Sequence, residues 1–301
     1  MPAENPSNWE TDLNRTLSGH LSALVCILVW GSTFIATKIL LSDFSAVAII
    51  LIRFTVGFLT LLALRPHRIR LEEQKQEGIF AVAGLTGVTL YFLLENTALM
   101  FTMAANVGII IAAAPLFTGI FAMVLSGGGE RLSRSFLLGF VLAIAGISLV
   151  SLNGARLHMN PLGDLLVLGA AVSWAVYSLL LRRINAWGYD SLLVTRRVFF
   201  WGLVFMIPAS LVFRPGWNPA ALMRPWTILL FAYLGIVACA LCYVLWGRAV
   251  SILGPVKTGV WLYLSPVVTM VFSALILKEP VTPLSLSGAG LVLLGLFFSE
   301  R

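Results

Sequence analysis

The sequence is poor in charge. Of its 301 residues 11% are Asp, Glu, Lys or Arg, against about 25% in soluble domains, so most of the chain cannot carry a solvated globular surface. Its three histidines are His20, His67 and His158, and it contains neither HExxH nor GxSxG. A zinc hydrolase and a serine nucleophile therefore both lack their parts. No paired carboxylates occur inside an apolar segment. No metal and no cofactor is expected, and an enzyme is the class that fits worst. Cys26, Cys239 and Cys242 all fall within apolar segments. The CxxC spacing of the last two has no second pair beside it, and packing as small buried hydrophobes accounts for all three. Ten-residue stretches of alternating polarity, the mark of a transmembrane β-barrel, are absent. Residues 1–18 hold Glu4, Glu10 and Asp12 and lack the basic start and short apolar core of a cleaved leader. They are expected to form a cytosolic N-terminal tail.

What is abundant is apolar sequence. Hydrophobic residues make up 59%, and the mean hydropathy is +0.96. A membrane crossing needs roughly 20 apolar residues in a helix, since backbone polar groups in lipid must be satisfied within the segment. Ten windows qualify: 19–41, 46–64, 78–99, 105–125, 135–152, 163–182, 193–213, 226–247, 257–277 and 284–299. The weakest are 78–99 and 226–247, where glycines and polar residues interrupt.

The basic residues orient the chain. With the N-terminus inside, 14 Lys and Arg lie near inner ends, among them Arg65, Arg68, Arg70, Arg182, Arg183, Arg196 and Arg197. Five lie near outer ends and Arg53 lies within the second span. The positive-inside rule then places both termini in the cytoplasm. The net charge of +7 reports topology; nucleic acid is not an expected partner, because no soluble domain presents a basic face.

The windows repeat. An offset of 144 aligns Trp30 with Trp174, Lys38 with Arg182 and Arg53 with Arg197. An offset of 151 aligns Ala98, Gly108, Pro115, Thr118 and Phe121 with Ala249, Gly259, Pro266, Thr269 and Phe272. After a two-residue contraction, Glu130, Gly139 and Gly146 meet Glu279, Gly288 and Gly295. Each half, 19–152 and 163–299, holds five windows. Five is odd, so the second half enters the membrane inverted, an arrangement characteristic of secondary transporters. The expected fold class is an all-α membrane protein of ten transmembrane helices as two inverted five-helix repeats.

These residues also resemble a family. "WGSTFIATKIL" from Trp30, the Arg53-Phe54 pair, "AAAPLF" around Pro115 and "GERLS" from Gly129 are similar to the EamA pattern of the drug/metabolite transporter superfamily. The second copy is more degenerate: "YLSPVV" and "KEPVT" keep the proline and glutamate, while "WAVYSLLLRRI" loses the Gly-Ser. The resemblance implies ten helices in an inverted repeat and export of small metabolites from bacteria, with amino-acid exporters among the members. It also implies the bacterial inner membrane.

Helical spacing singles out the candidate substrate-binding residues. Trp30, Thr33 and Thr37 share a face of the first span, and Trp174, Tyr177 and Leu181 that of the sixth. Gly84, Tyr91 and Glu95 do so on the third; Gly235, Cys242 and Trp246 on the eighth. Asn106 faces inward from the fourth span, and Lys257 and Trp261 from the ninth. Aromatic and polar groups in an apolar wall suit a small-molecule site, and Trp30, Tyr91, Trp174, Tyr177 and Trp261 are expected to line a central cavity. Tryptophans can equally be lipid-interface anchors, the expected role of Trp187 and Trp217. Pro115 and Pro266 are expected to bend their helices at equivalent places. Gly139, Ala143 and Gly146, echoed by Gly288 and Gly295, form small faces that allow close, peripheral packing. A Glu95 pair with Lys38 or Arg53 is open, as is snorkelling of Lys38. Lys257 and Arg248 could attract a carboxylate from the cytosol.

The expected function is a secondary exporter of small metabolites, amino acids including aromatic ones foremost, by alternating access through that cavity. Export of cationic drugs and exchange of phosphorylated metabolites are the alternatives. The partners are a small-molecule substrate and the lipid bilayer, and a monomer is the expected working unit.

Overall fold

A computed structural model describes residues 6–98, 101, 107, 110–111, 113–126, 133–151, 161–213, 215–216, 218–277 and 281–299. Side chains are described for these except 6–13, Phe34, Lys38, Val150, Ser151, Ser273 and Leu277. Asn106, Gly108, Glu130, Trp217 and Glu279, like the side chain of Lys38, lie outside the described residues. The described chain is helical: α1 (Pro6–Leu40), α2 (Ala46–Leu64), α3 (Gln74–Ala98), α4 (Ala114–Leu125), α5 (Arg134–Ser151), α6 (Pro161–Asn185), α7 (Ser191–Phe213), α8 (Pro225–Leu253), α9 (Pro255–Ile276) and α10 (Pro283–Ser299). Each expected window carries one of these helices. In α1–α3 and α6–α9 the helices are long and apolar enough to cross a membrane, seven in all; the apolar stretches Ala114–Leu125, Arg134–Leu149 and Pro283–Ser299 are shorter.

Local chemistry sets the ends. Ser45 Oγ accepts from Ala48 N (3.3 Å) at the start of α2, and Asp190 Oδ1 accepts from Leu192 N (2.9 Å) at the start of α7, each satisfying an amide the helix leaves unpaired. Gly254 alone separates α8 from α9, at φ 82°, a conformation that glycine adopts without steric cost.

Packing pairs the helices in a matched set. α1 lies on α8 as α6 lies on α3, α2 on α8 as α7 on α3, and α1 on α9 as α6 on α4. The pairs α2–α7, α4–α9 and α5–α10 each map onto themselves when every helix is exchanged for the one five places on. The glycine faces of α5 and α10 meet: a Cβ on Gly146 would stand 2.5 Å from Gly288 O, and one on Gly295 would stand 2.6 Å from Ala143 N. Ser135 Oγ donates to Phe298 O at 2.5 Å along the same seam. This pair packs chiefly on itself, with further contact to α9, as the small-residue faces imply.

One feature departs from the helical spacing expected. The helices α3 and α8 contain π-helical stretches, Leu85–Leu90 and Tyr233–Leu241, at repeat-equivalent places and within the two weakest windows. Each added residue turns the remainder of the helix by about 100°. Gly84 and Gly235 therefore do not share an inward face with Tyr91 and Trp246. A Cβ on Gly84 would meet Val198 O of α7 at 2.6 Å, and one on Gly235 would meet Arg53 O of α2 at 3.0 Å. Pro115 occupies the first turn of α4, where the missing N–H costs no hydrogen bond, and Pro266 lies inside α9 just after its 3-10 turn at Trp261–Leu264.

Gly146→Ala should lower the unfolding free energy by about 1–3 kcal/mol, the usual cost of overpacking a tight contact. Gly290→Ala on the same helix pair meets nothing within 4 Å and should be neutral or stabilising by up to about 1 kcal/mol. Denaturant titration of the two variants in detergent checks both.

Candidate functional site

An aromatic core occupies the middle of the bundle. Trp30 of α1, Tyr91 of α3, Trp174 and Tyr177 of α6 and Trp246 of α8 come together there. Trp174 is central, with ring centroids 5.6 Å from Trp30, 5.0 Å from Tyr91, 5.3 Å from Tyr177 and 5.9 Å from Trp246. Tyr243 joins them, 6.0 Å from Trp30, 6.1 Å from Trp174 and 5.0 Å from Phe199. Most pairs are tilted or edge-to-face, the geometry that ring quadrupoles favour. Trp174 is 5% exposed and Trp246 1%. Of the five rings expected to line a central cavity, Trp30, Tyr91, Trp174 and Tyr177 pack on one another, with Trp174 and Tyr177 buried and Trp30 and Tyr91 half-buried. The fifth, Trp261, stands apart on the 3-10 turn of α9 and donates from Nε1 to His20 Nδ1 at 3.2 Å.

A charged flank adjoins the rings. Arg53 of α2 is buried. Its Nε donates to Cys239 Sγ at 3.2 Å, and its guanidinium lies 4.8 Å from the Phe92 ring centroid and 5.6 Å from that of Phe54. A sulfur and two ring faces replace the water a buried cation loses. Glu95 is also buried, accepts a long hydrogen bond from Tyr91 Oη (3.3 Å), and interacts electrostatically with Arg53. Of the two partners left open for Glu95, Arg53 lies within its electrostatic reach, and the Lys38 side chain lies outside the described residues.

The π stretches supply the third element. Widening a helix frees carbonyls from the i+4 ladder, and buried carbonyls need donors. Trp30 Nε1 donates to Ala238 O at 2.9 Å, and Tyr243 Oη donates to Gly87 O at 2.9 Å. Ser173 Oγ donates to Thr86 O at 2.9 Å, and Cys26 Sγ to Cys242 O, just past the second stretch, at 3.1 Å. Gly87 and Ala238 are repeat-equivalent at the offset of 151. Trp30 and Trp174 are equivalent as well, yet Trp174 does not take Gly87 O, because Tyr243 holds it. Trp174 Nε1 and Trp246 Nε1 are buried without a hydrogen-bond partner among the described residues.

The remaining candidates are dispersed. The Thr33 hydroxyl donates to Trp30 O (2.7 Å) on its own helix. Asn106 lies outside the described residues. Lys257 lines a separate cavity of about 240 Å³ with Arg182 and the Leu253–Val256 turn, while Arg248 reaches Ser18 Oγ at 3.4 Å. Trp187, expected as a lipid anchor, packs 5.9 Å from Phe80. Tyr243, Arg53 and Cys239 were not among the expected site residues. One signal for Tyr243 was present: it precedes Trp246 by three, a spacing that shares a helix face.

The profile of the EamA-like transporter family matches residues 17–152 and again 161–300. A probable terminal-alkyne amino-acid exporter of Streptantibioticus cattleyicolor is 29% identical over 287 residues, covering 95% of this chain and 94% of that one. A probable amino-acid metabolite efflux pump of Escherichia coli (strain K12) is 28% identical over 288 residues, covering 92% and 93%. One crystal structure superposes with a TM-score of 0.75 at 21% identity over 93% of this chain and 96% of that one, a likeness of fold.

Tyr243→Phe keeps the ring and removes the donor to Gly87 O. A buried acceptor left unsatisfied costs about 1–3 kcal/mol, and unfolding of the variant in detergent should show a loss of that size. Unchanged stability would mean that the π-stretch carbonyl needs no side-chain donor.

Proposed function

The chain belongs to the EamA-like transporter family, and from that premise we propose that it exports amino acids, aromatic ones included, through the aromatic core. It is a multi-pass membrane protein with a small-molecule substrate. We place it in the bacterial inner membrane, crossing ten times as two inverted repeats, with both termini inside and one chain as the working unit. The doubled family match and the matched helix pairs support the two-repeat arrangement; the excess of cations at one set of ends supports the orientation. The relatives named as amino-acid exporter and efflux pump support the substrate class.

The observation that carries the proposal is the pair of buried, unpartnered indole N–H groups in the core. An amino acid supplies what they lack. Its carboxylate accepts from Trp174 and Trp246. Its side chain takes up ring contacts that the tryptophans now make with one another. Its ammonium meets Glu95, one ring away beyond Tyr91.

Alternating access follows from the near-equivalence of the halves. In this state Trp30 holds Ala238 O and Tyr243 holds Gly87 O. In the exchanged state Trp174 takes Gly87 O, and Trp30 releases Ala238 O. The Tyr243 and Trp30 bonds are lost and one is gained, a net change of one hydrogen bond, about 0.5–1.5 kcal/mol, so the two states stay close in energy, as a carrier requires.

Counterflow in proteoliposomes with amino acids, cationic dyes and sugar phosphates tests this. Saturable exchange of tryptophan and phenylalanine is expected; exchange of dyes or sugar phosphates alone would overturn the proposal. Alanine at Trp30, Tyr91, Trp174 or Tyr177 should weaken apparent tryptophan affinity roughly two- to tenfold, from the ~0.5–1.5 kcal/mol of an aromatic contact. Threonine should be affected less, and Trp261→Ala should change neither by more than about twofold. Equal loss of both substrates in every core variant would mean that the rings shape the protein without contacting substrate.

A further inference from the structure

A second cavity, of about 510 Å³, lies where α2 ends and α7 begins, away from the aromatic core. Its apolar wall is Phe58 and Leu62 of α2 with Leu193 and Phe200 of α7, and its charged end holds Arg68, Arg196, Arg197 and Glu77. Glu77 is already saturated: Arg197 pairs with it through both Nε and Nη2, and Trp201 Nε1 donates to it at 2.5 Å. Arg196 donates to the carbonyls of Arg65 and His67, which ties down the connection between α2 and α3. It also sits in the repulsive field of both Arg197 and Arg68. Three arginines against one carboxylate leave two positive charges around the cavity, and like charges held close call for a counter-anion.

We propose that this cleft binds an anionic phospholipid, its phosphodiester on Arg68 and Arg196 and its first acyl methylenes along Phe58, Leu62 and Phe200. Charge and hydrophobicity are arranged in the order a lipid presents them: cations at the helix ends, apolar side chains along the crossing. Leu62 and Phe200 are 37% and 47% exposed, so the apolar wall opens toward the lipid-facing surface, where a free metabolite has no need of one. Basic pockets between helices on the cytoplasmic side are suited to lipid head groups. Arg53, the repeat equivalent of Arg197, is turned onto Cys239 and Phe92 and offers no matching charge at the other membrane face.

The test is a titration of purified protein in mixed micelles with dioleoylphosphatidylglycerol, dioleoylphosphatidylcholine or soluble glycerol phosphate, read as melting temperature. The phosphatidylglycerol should raise it saturably and the other two should not. Arg68 is exposed, so Arg68→Gln should fold; it should weaken the apparent affinity for phosphatidylglycerol about fivefold, equivalent to ~1 kcal/mol per basic residue. Arg183→Gln, an exposed cation at the end of α6, should leave it unchanged. As an independent readout, phosphatidylglycerol carrying a photoreactive acyl chain should cross-link within 58–69 and 193–200. Equal weakening by both substitutions, stabilisation by glycerol phosphate alone, or cross-links spread over all helices would each overturn the proposal.

Discussion

The demand that buried backbone groups find partners governs the centre of this protein. Where α3 and α8 widen into π stretches, carbonyls fall out of the helical ladder in a place with no water to take them. Trp30, Tyr243 and Ser173 supply the donors from other helices. The Trp30 and Tyr243 rings are thereby fixed in orientation within the aromatic core. The two irregular stretches thus orient two of the core's rings.

The two halves match in packing and differ in chemistry. Phe92 stands where the other half has Tyr243, at the offset of 151. A phenyl ring has no donor, so the two π stretches cannot be capped in the same way, and one tryptophan of the equivalent pair is left without an acceptor. Arg53 and Arg197 differ as sharply: one is enclosed by sulfur and aromatic faces, the other pairs with Glu77 at the protein's edge. A carrier built from two identical halves would rest equally in both states. Differences of a few hydrogen bonds, each worth about 0.5–1.5 kcal/mol net, are large enough to set which state is populated.

Away from the centre the protein is simpler. The α5–α10 seam is held by backbone approach at glycines, so dispersion and carbonyl contacts replace the hydrophobic effect that lipid removes. The end of α2 and the start of α7 concentrate cations: Arg65, Arg68, Arg196 and Arg197.

The sequence by itself determined the membrane environment, the positions of the helices, the repeat and the residue types of the core. All of these are properties of short windows: hydropathy averages over about twenty residues, and a repeat is a comparison of windows. It also marked the tryptophans of α1 and α6 that meet each other, because those helices are regular and spacing predicts a face. Tertiary structure decided which way α3 and α8 turn beyond their π stretches, which moved Gly84 and Gly235 onto α7 and α2. It decided that Trp261 meets His20, that Arg53 rests on Cys239, and that the rings close on one another. A π stretch is stabilised by donors that arrive from other helices, so neither its existence nor the rotation it imposes is encoded in the local pattern. The faces that depend on it appear only when the helices are packed.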